Sequence, residues 1–138
     1  MELFAEYASI PVVNALTDLS HPCQIMADLM TIKEKFGSFK GLKITYVGDG
    51  NNVTNSLLKG ASLVGMDVCA ACPNEYEPDS NQIKIAKQIS EETKNKIQIL
   101  NDPYEAVSGA NIIYGDVWTS MGQEAEYEAK EKFLKGIR

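Results

Sequence analysis

The sequence predicts an α/β protein: an open, three-layer parallel sheet of about four core strands with flanking helices. Three observations carry this expectation. From residue 43 onward, short apolar runs alternate with longer stretches of helical periodicity. Glycine, proline or asparagine marks nearly every junction between them. The strands are separated by helices rather than tight hairpins, which implies parallel pairing through right-handed crossovers.

The elements follow in order. Pro11–Leu16 reads as a first strand. Gln24–Phe36 reads as a long helix ending at Gly37, with a wide apolar stripe of Ile25, Met26, Leu29, Met30 and Phe36. It either lies on the sheet or joins this domain to another, so a boundary is expected near Gly37–Gly41. This divides the chain into a joining segment, 1–37, and an α/β domain, 38–138. Lys43–Val47 reads as a strand that stops at Gly48. Asn52–Val64 reads as a helix with Val53, Leu57, Ala61 and Val64 near helical spacing. Val68–Ala71 is a short buried strand, and Pro73–Pro78 a loop. Ser80–Thr93 is an amphipathic helix with Ile83, Ala86 and Ile89 on one side. Ile97–Leu100 is a strand, Pro103–Ser108 a short helix with proline in its first turn, Asn111–Tyr114 a strand, and Glu124–Leu134 a helix. The result is Rossmann-like.

Composition narrows the function classes. The 138 residues are 44% apolar and 23% charged, as in an ordinary soluble domain. A net charge of −6, with twelve lysines scattered along the chain, argues against nucleic-acid and anionic-membrane surfaces. No apolar run approaches a membrane span, and Met1–Glu6 lacks the basic and apolar regions of a signal peptide. Three cysteines, an odd number, fit a reducing cytoplasm better than a disulfide framework. Cys69 and Cys72 have C-x-x-C spacing, but residues i and i+3 of a strand face opposite sides. A packing role is expected for them, and no metal site.

Three polar clusters follow apolar runs: His21-Pro22-Cys23-Gln24, Asp49-Gly50-Asn51-Asn52 and Asp116-Val117-Trp118-Thr119-Ser120-Met121-Gly122. In open α/β sheets, ligands bind at the carboxyl ends of strands, so the three clusters point to one shared site. Gly48-Asp49-Gly50-Asn51-Asn52-Val53 has the Gly-x-Gly turn of a dinucleotide fingerprint. It lacks the third glycine, and Ala70-Ala71-Cys72 stands where an acidic residue is expected. Adjacent asparagines at a helix start can cap it and still offer a carboxamide to an α-carboxylate. His21 is the only histidine, and it stands at a helix start before Pro22, with Gln24 in the same turn. It suits donation to a carbonyl, though a structural role is equally open. Cys23 reads as packing rather than as a nucleophile. Asp116 suits an ammonium group, Trp118 a packing anchor, and Ser120–Gly122 supplies a hydroxyl and backbone N–H groups.

Together and in this order, the clusters resemble the carbamoyltransferase superfamily, and specifically ornithine carbamoyltransferases. The family's His-Pro-x-Gln motif stands at His21–Gln24, its Asp-Gly-Asn-Asn motif at Asp49–Asn52, and its Asp-x-x-x-Ser-Met-Gly motif at Asp116–Gly122. The resemblance implies that His21, the catalytic residue, and Gln24 contact the carbamoyl group of carbamoyl phosphate. Asn52, with Asn51 second, holds the α-carboxylate of L-ornithine. Asp116 binds its α-ammonium, and Ser120 with Met121 completes that pocket. The implied reaction gives L-citrulline and phosphate without a cofactor, a step of arginine biosynthesis or of the urea-cycle type.

The family's Ser-x-Arg-Thr-Arg phosphate clamp and its later His-Cys-Leu-Pro motif are not in this chain, whose single arginine is Arg138. The chain is therefore expected to be a central piece, inactive alone, of an enzyme that is trimer-based at full length. The piece itself would be a monomer or a dimer that exchanges its first segment. The alternative reading is a free-standing Rossmann-like module for a small ligand or nucleotide.

Overall fold

A computed structural model describes residues 1–116. Its elements are α1 (Glu2–Tyr7), α2 (Pro22–Phe36), β1 (Lys43–Val47), α3 (Asn52–Leu63), β2 (Asp67–Ala71), α4 (Ser80–Thr93), β3 (Ile97–Leu100), α5 (Pro103–Val107) and β4 (Ile112–Gly115). The four strands form one sheet in the order β3-β2-β1-β4, every pair parallel. The expected helix Glu124–Leu134, Trp118, Ser120 and Met121 lie outside the described residues.

The two central strands are covered on both faces, which is why they read as apolar runs rather than alternating ones. The edge strands β3 and β4 keep an exposed side, with Ile113 64% exposed. Ile44, Tyr46, Val68, Ala70 and Cys72 share one core with Leu57, Leu58 and Ala61 of α3 and Ala86 of α4. On the other face Cys69 and Ala71 meet Ala106 of α5. The two cysteines thus do face opposite sides. Burial raises both thiols above their ordinary range, Cys72 to about 12.

Helix α2 settles onto α3. Its Ile25, Leu29 and Ile32 are buried in the main core, while Met26 and Met30 of the wide stripe are 62% exposed. Gly60 permits this approach, because a Cβ there would stand 2.5 Å from Ile25 Cγ2. The helix ends where Gly37 takes a left-handed conformation at φ 75° and donates its N–H to the Lys33 carbonyl.

Two expectations are corrected. Pro11–Leu16 is not a strand, for no neighbouring strand in the described chain offers it a ladder. Local hydrogen bonds take over just beyond it: Thr17 N–H donates to the Ser20 carbonyl at 2.8 Å, and Ser20 N–H to Thr17 Oγ1 at 3.2 Å. Ahead of it, Glu2–Tyr7 forms the unexpected helix α1, with no buried residue. Cys23 is the second correction. It is exposed rather than packed, its thiol 3.7 Å from the Asn14 carbonyl.

Candidate functional site

The strand order fixes where a site can form. β2 and β3 lie to one side of β1 and β4 to the other, so the chain reverses direction between β1 and β4. The crevice at the carboxyl ends of those two strands is the topological switch point. Asp49–Asn52 leaves β1 there, and Asp116 follows β4 there.

The turn after β1 is built around Gly50. A side chain at this position would run into the backbone of Glu77 and Pro78, and the Gly50 N–H donates to the Tyr76 carbonyl at 2.7 Å. Asn51 then caps α3, its Oδ1 accepting from the N–H groups of Val53 and Thr54. Its Nδ2 donates to Asp116 Oδ2 at 2.8 Å. Two clusters far apart in sequence therefore meet directly.

Tyr46 is the site residue that sequence reasoning missed. Its hydroxyl lies 2.9 Å from the Asp49 carbonyl and 3.2 Å from Asp116 Oδ2. Burial, with the Asp116 charge behind it, raises the phenol well above the ordinary tyrosine range. The group remains a neutral donor, with a single proton for two acceptors. Tyr114 stacks on it with ring centroids 5.9 Å apart. Burial first, then the Asp28 carboxylate, pushes Tyr114 up to about 12. Asp28 in turn accepts from Gln24 Nε2 at 2.9 Å. One chain of contacts thus runs from Gln24 through Asp28, Tyr114 and Tyr46 to Asp116. A tyrosine in each of two apolar strands was the available signal, but only strand adjacency pairs them.

The remaining expected residues fall as follows. Asn52 turns to the chain before α2, its Nδ2 donating to the Thr17 carbonyl at 2.7 Å. His21 stands at the start of α2 with its N–H donated to Ser56 Oγ at 2.8 Å. Gln24 is joined to Asp28, not to His21. Ser120 and Met121 lie outside the described residues.

Residues 40–138 match the family described as aspartate/ornithine carbamoyltransferase, Asp/Orn binding domain. The chain belongs to the aspartate/ornithine carbamoyltransferase family. Residues 1–34 match that family's carbamoyl-P binding domain. Among curated relatives, the ornithine carbamoyltransferase of Gloeobacter violaceus is 56% identical over 126 residues, 91% of this chain and 40% of its own length. The solved ornithine carbamoyltransferase of Pyrococcus furiosus superposes with a TM-score of 0.89 at 53% identity, covering 95% of this chain and 42% of that one. The anabolic enzyme of Campylobacter jejuni gives 0.88 at 35% identity, covering 96% and 44%. The chain therefore spans about two-fifths of the length of these relatives. Among the described residues, no helix is long and apolar enough to cross a membrane.

Proposed function

We propose that this chain is the amino-acid-binding part, with its joining segment, of an ornithine carbamoyltransferase that acts in the cytoplasm. Residues 1–37 form the joining segment and 38–138 the amino-acid domain. The observation that carries the reading is the Asp116 carboxylate at the switch point, held by Asn51 and faced by a neutral Tyr46. A fixed carboxylate there suits the α-ammonium of ornithine, which takes up the oxygen that Asn51 now contacts. Asn52, at the start of α3, meets the α-carboxylate with the second N–H of the amide whose first goes to the Thr17 carbonyl, aided by the helix dipole. Ser120 and Met121 complete the pocket.

The δ-amine, left neutral and pointing out of the domain, attacks the carbamoyl carbon. The C–O bond to phosphate breaks, and the proton that the amine loses passes to the departing phosphate. His21 donates to the carbamoyl oxygen as negative charge develops on it, and Gln24 orients the carbamoyl group. Phosphate binding needs a clamp that twelve scattered lysines and one terminal arginine do not assemble. The full-length enzyme is trimer-based. The isolated chain is a monomer or a segment-exchanged dimer.

Calorimetry tests the reading. L-Ornithine should bind, and putrescine, lacking the α-carboxylate, should bind more weakly. Asp116→Asn should cost roughly 1.5–3 kcal/mol of ornithine affinity. Binding of NAD in place of ornithine would replace this reading with the nucleotide module. The isolated chain should form no citrulline at saturating substrates. A turnover near an ordinary ~10 s⁻¹ would overturn the division of labour.

A further inference from the structure

We infer that Asn55 and Ser56 are positioning residues for His21, forming a clamp by which α3 sets the place of the histidine at the start of α2. The inference rests on the proposed role of His21 at the carbamoyl group.

Among the described residues no strand lies beside the stretch that leads into His21, so no sheet ladder there fixes its backbone. Three polar residues on one face of α3 do so instead. Asn52, Asn55 and Ser56 stand at i, i+3 and i+4 and point the same way. Asn52 Nδ2 donates to the Thr17 carbonyl at 2.7 Å, and Asn55 Nδ2 to the Leu19 carbonyl at 3.2 Å. Ser56 Oγ accepts the His21 N–H at 2.8 Å. Alternate residues 17, 19 and 21 are thus gripped in succession, as an adjoining strand would grip them.

Asn55 and Ser56 are 4% and 6% exposed. Buried polar side chains are retained where their partners are fixed. Asn55 is fixed on its other side as well, its Oδ1 accepting the Asp79 N–H at 3.1 Å at the start of α4. The clamp is therefore anchored to two helices of the amino-acid domain. Among the described residues no hydrogen bond holds the imidazole, and its Nδ1 is buried without a partner. The ring therefore takes its place from its backbone and from the packing around it. A short donor group reaching a developing oxyanion must be placed to a fraction of an ångström, and Ser56 holds the nearest backbone atom.

The sole histidine makes the test direct, because the 138-residue chain gives a single set of imidazole NMR signals. Ser56→Ala should speed hydrogen exchange of the His21 amide by about tenfold and shift or broaden the imidazole signals. Tyr46 amide exchange should stay unchanged. Ser56→Thr, which keeps the hydroxyl, should restore both readouts. Asn55→Asp keeps the acceptor for Asp79 but removes the donor to Leu19, and it should loosen His21 in the same sense. If Ser56→Ala does not fold, the Asp and Thr variants alone decide. An unchanged His21 in the Ala and Asp variants would overturn the clamp. So would equal acceleration at His21 and Tyr46, or a failure of Ser56→Thr to restore. The underlying reading fails separately: with this chain grafted into the Pyrococcus furiosus enzyme, it is lost if His21→Ala leaves kcat unchanged.

Discussion

Lys43–Val47 and Pro11–Leu16 are both short, apolar and rich in β-branched residues, yet only the first becomes a strand. β1 has a parallel partner on each edge and cover on each face, so Ile44, Thr45 and Tyr46 are fully buried. Among the described residues Pro11–Leu16 has no strand partner, and Val13 is left 72% exposed. Strand propensity describes fit to a pleated, half-buried surface. Without the surface, the same pattern yields an extended tether. The two regions are also held differently: the sheet by ladders and packing, the tether by the Asn14 amide, which donates to Ser20 Oγ at 3.1 Å, and by the bonds that α3 makes to Thr17, Leu19 and His21 just beyond it.

The largest expected effect tests the packed region. Gly50→Ala places a side chain against the backbone of Glu77 and Pro78, where no flexible group can yield. A loss of about 3 kcal/mol or more is expected by chemical denaturation, and a normal unfolding midpoint would show that this loop can move aside. Next, Leu57→Ala should cost about 2–5 kcal/mol, since Leu57 is fully buried. Val13→Ala should stay within about 0.5 kcal/mol. Equal costs would erase the contrast and mean that the tether packs on something, with a second copy the first candidate to seek by sedimentation.

Deleting residues 1–13 should likewise change stability by less than about 0.5 kcal/mol. Deleting 1–20 removes the carbonyls of Thr17 and Leu19 and should cost more. A large loss from the shorter deletion would show that α1, with no buried residue, is anchored after all.

A further effect appears only at alkaline pH. Tyr114 is raised in the fold to about 12 from an ordinary value near 10. Its neutral form is favoured, so its stabilising share is complete below pH 10 and is lost as pH rises through 12. Cys72, raised from 9 to about 12, acts in the same direction. Stability should therefore decline between about pH 9 and 12, and Tyr114→Phe should flatten that decline. In an ultraviolet titration, Tyr46 and Tyr114 should ionise after the more exposed tyrosines. Simultaneous ionisation of all six tyrosines would show the Tyr46–Tyr114 stack to be open to water.

The α/β pattern was legible because each strand–helix unit carries its own periodicity and punctuation. The helix expected at Ser80–Thr93 forms with those bounds, and the strand at Ile97–Leu100 likewise. The clusters at Asp49–Asn52 and Asp116 were legible because polar residues after apolar strands have no packing reason to be there. Tyr46 was not, since a tyrosine inside an apolar run reads as core. Asn55 and Ser56 sit among Leu57 and Leu58 and read as incidental, because their partners lie 36 and 35 residues away in sequence.

By itself, the sequence determined the order of strands and helices from Lys43 to Gly115, the parallel class of the sheet and the motifs shared with the carbamoyltransferases. These depend on spacing along the chain, which local chemistry records. Only the tertiary structure decided that β4 lies beside β1, so that Asp116 meets Asn51 and Tyr46, and that α3 rather than a strand holds the approach to His21. Those are long-range pairings. They depend on which surfaces remain uncovered once the elements have formed, and no residue carries that information alone.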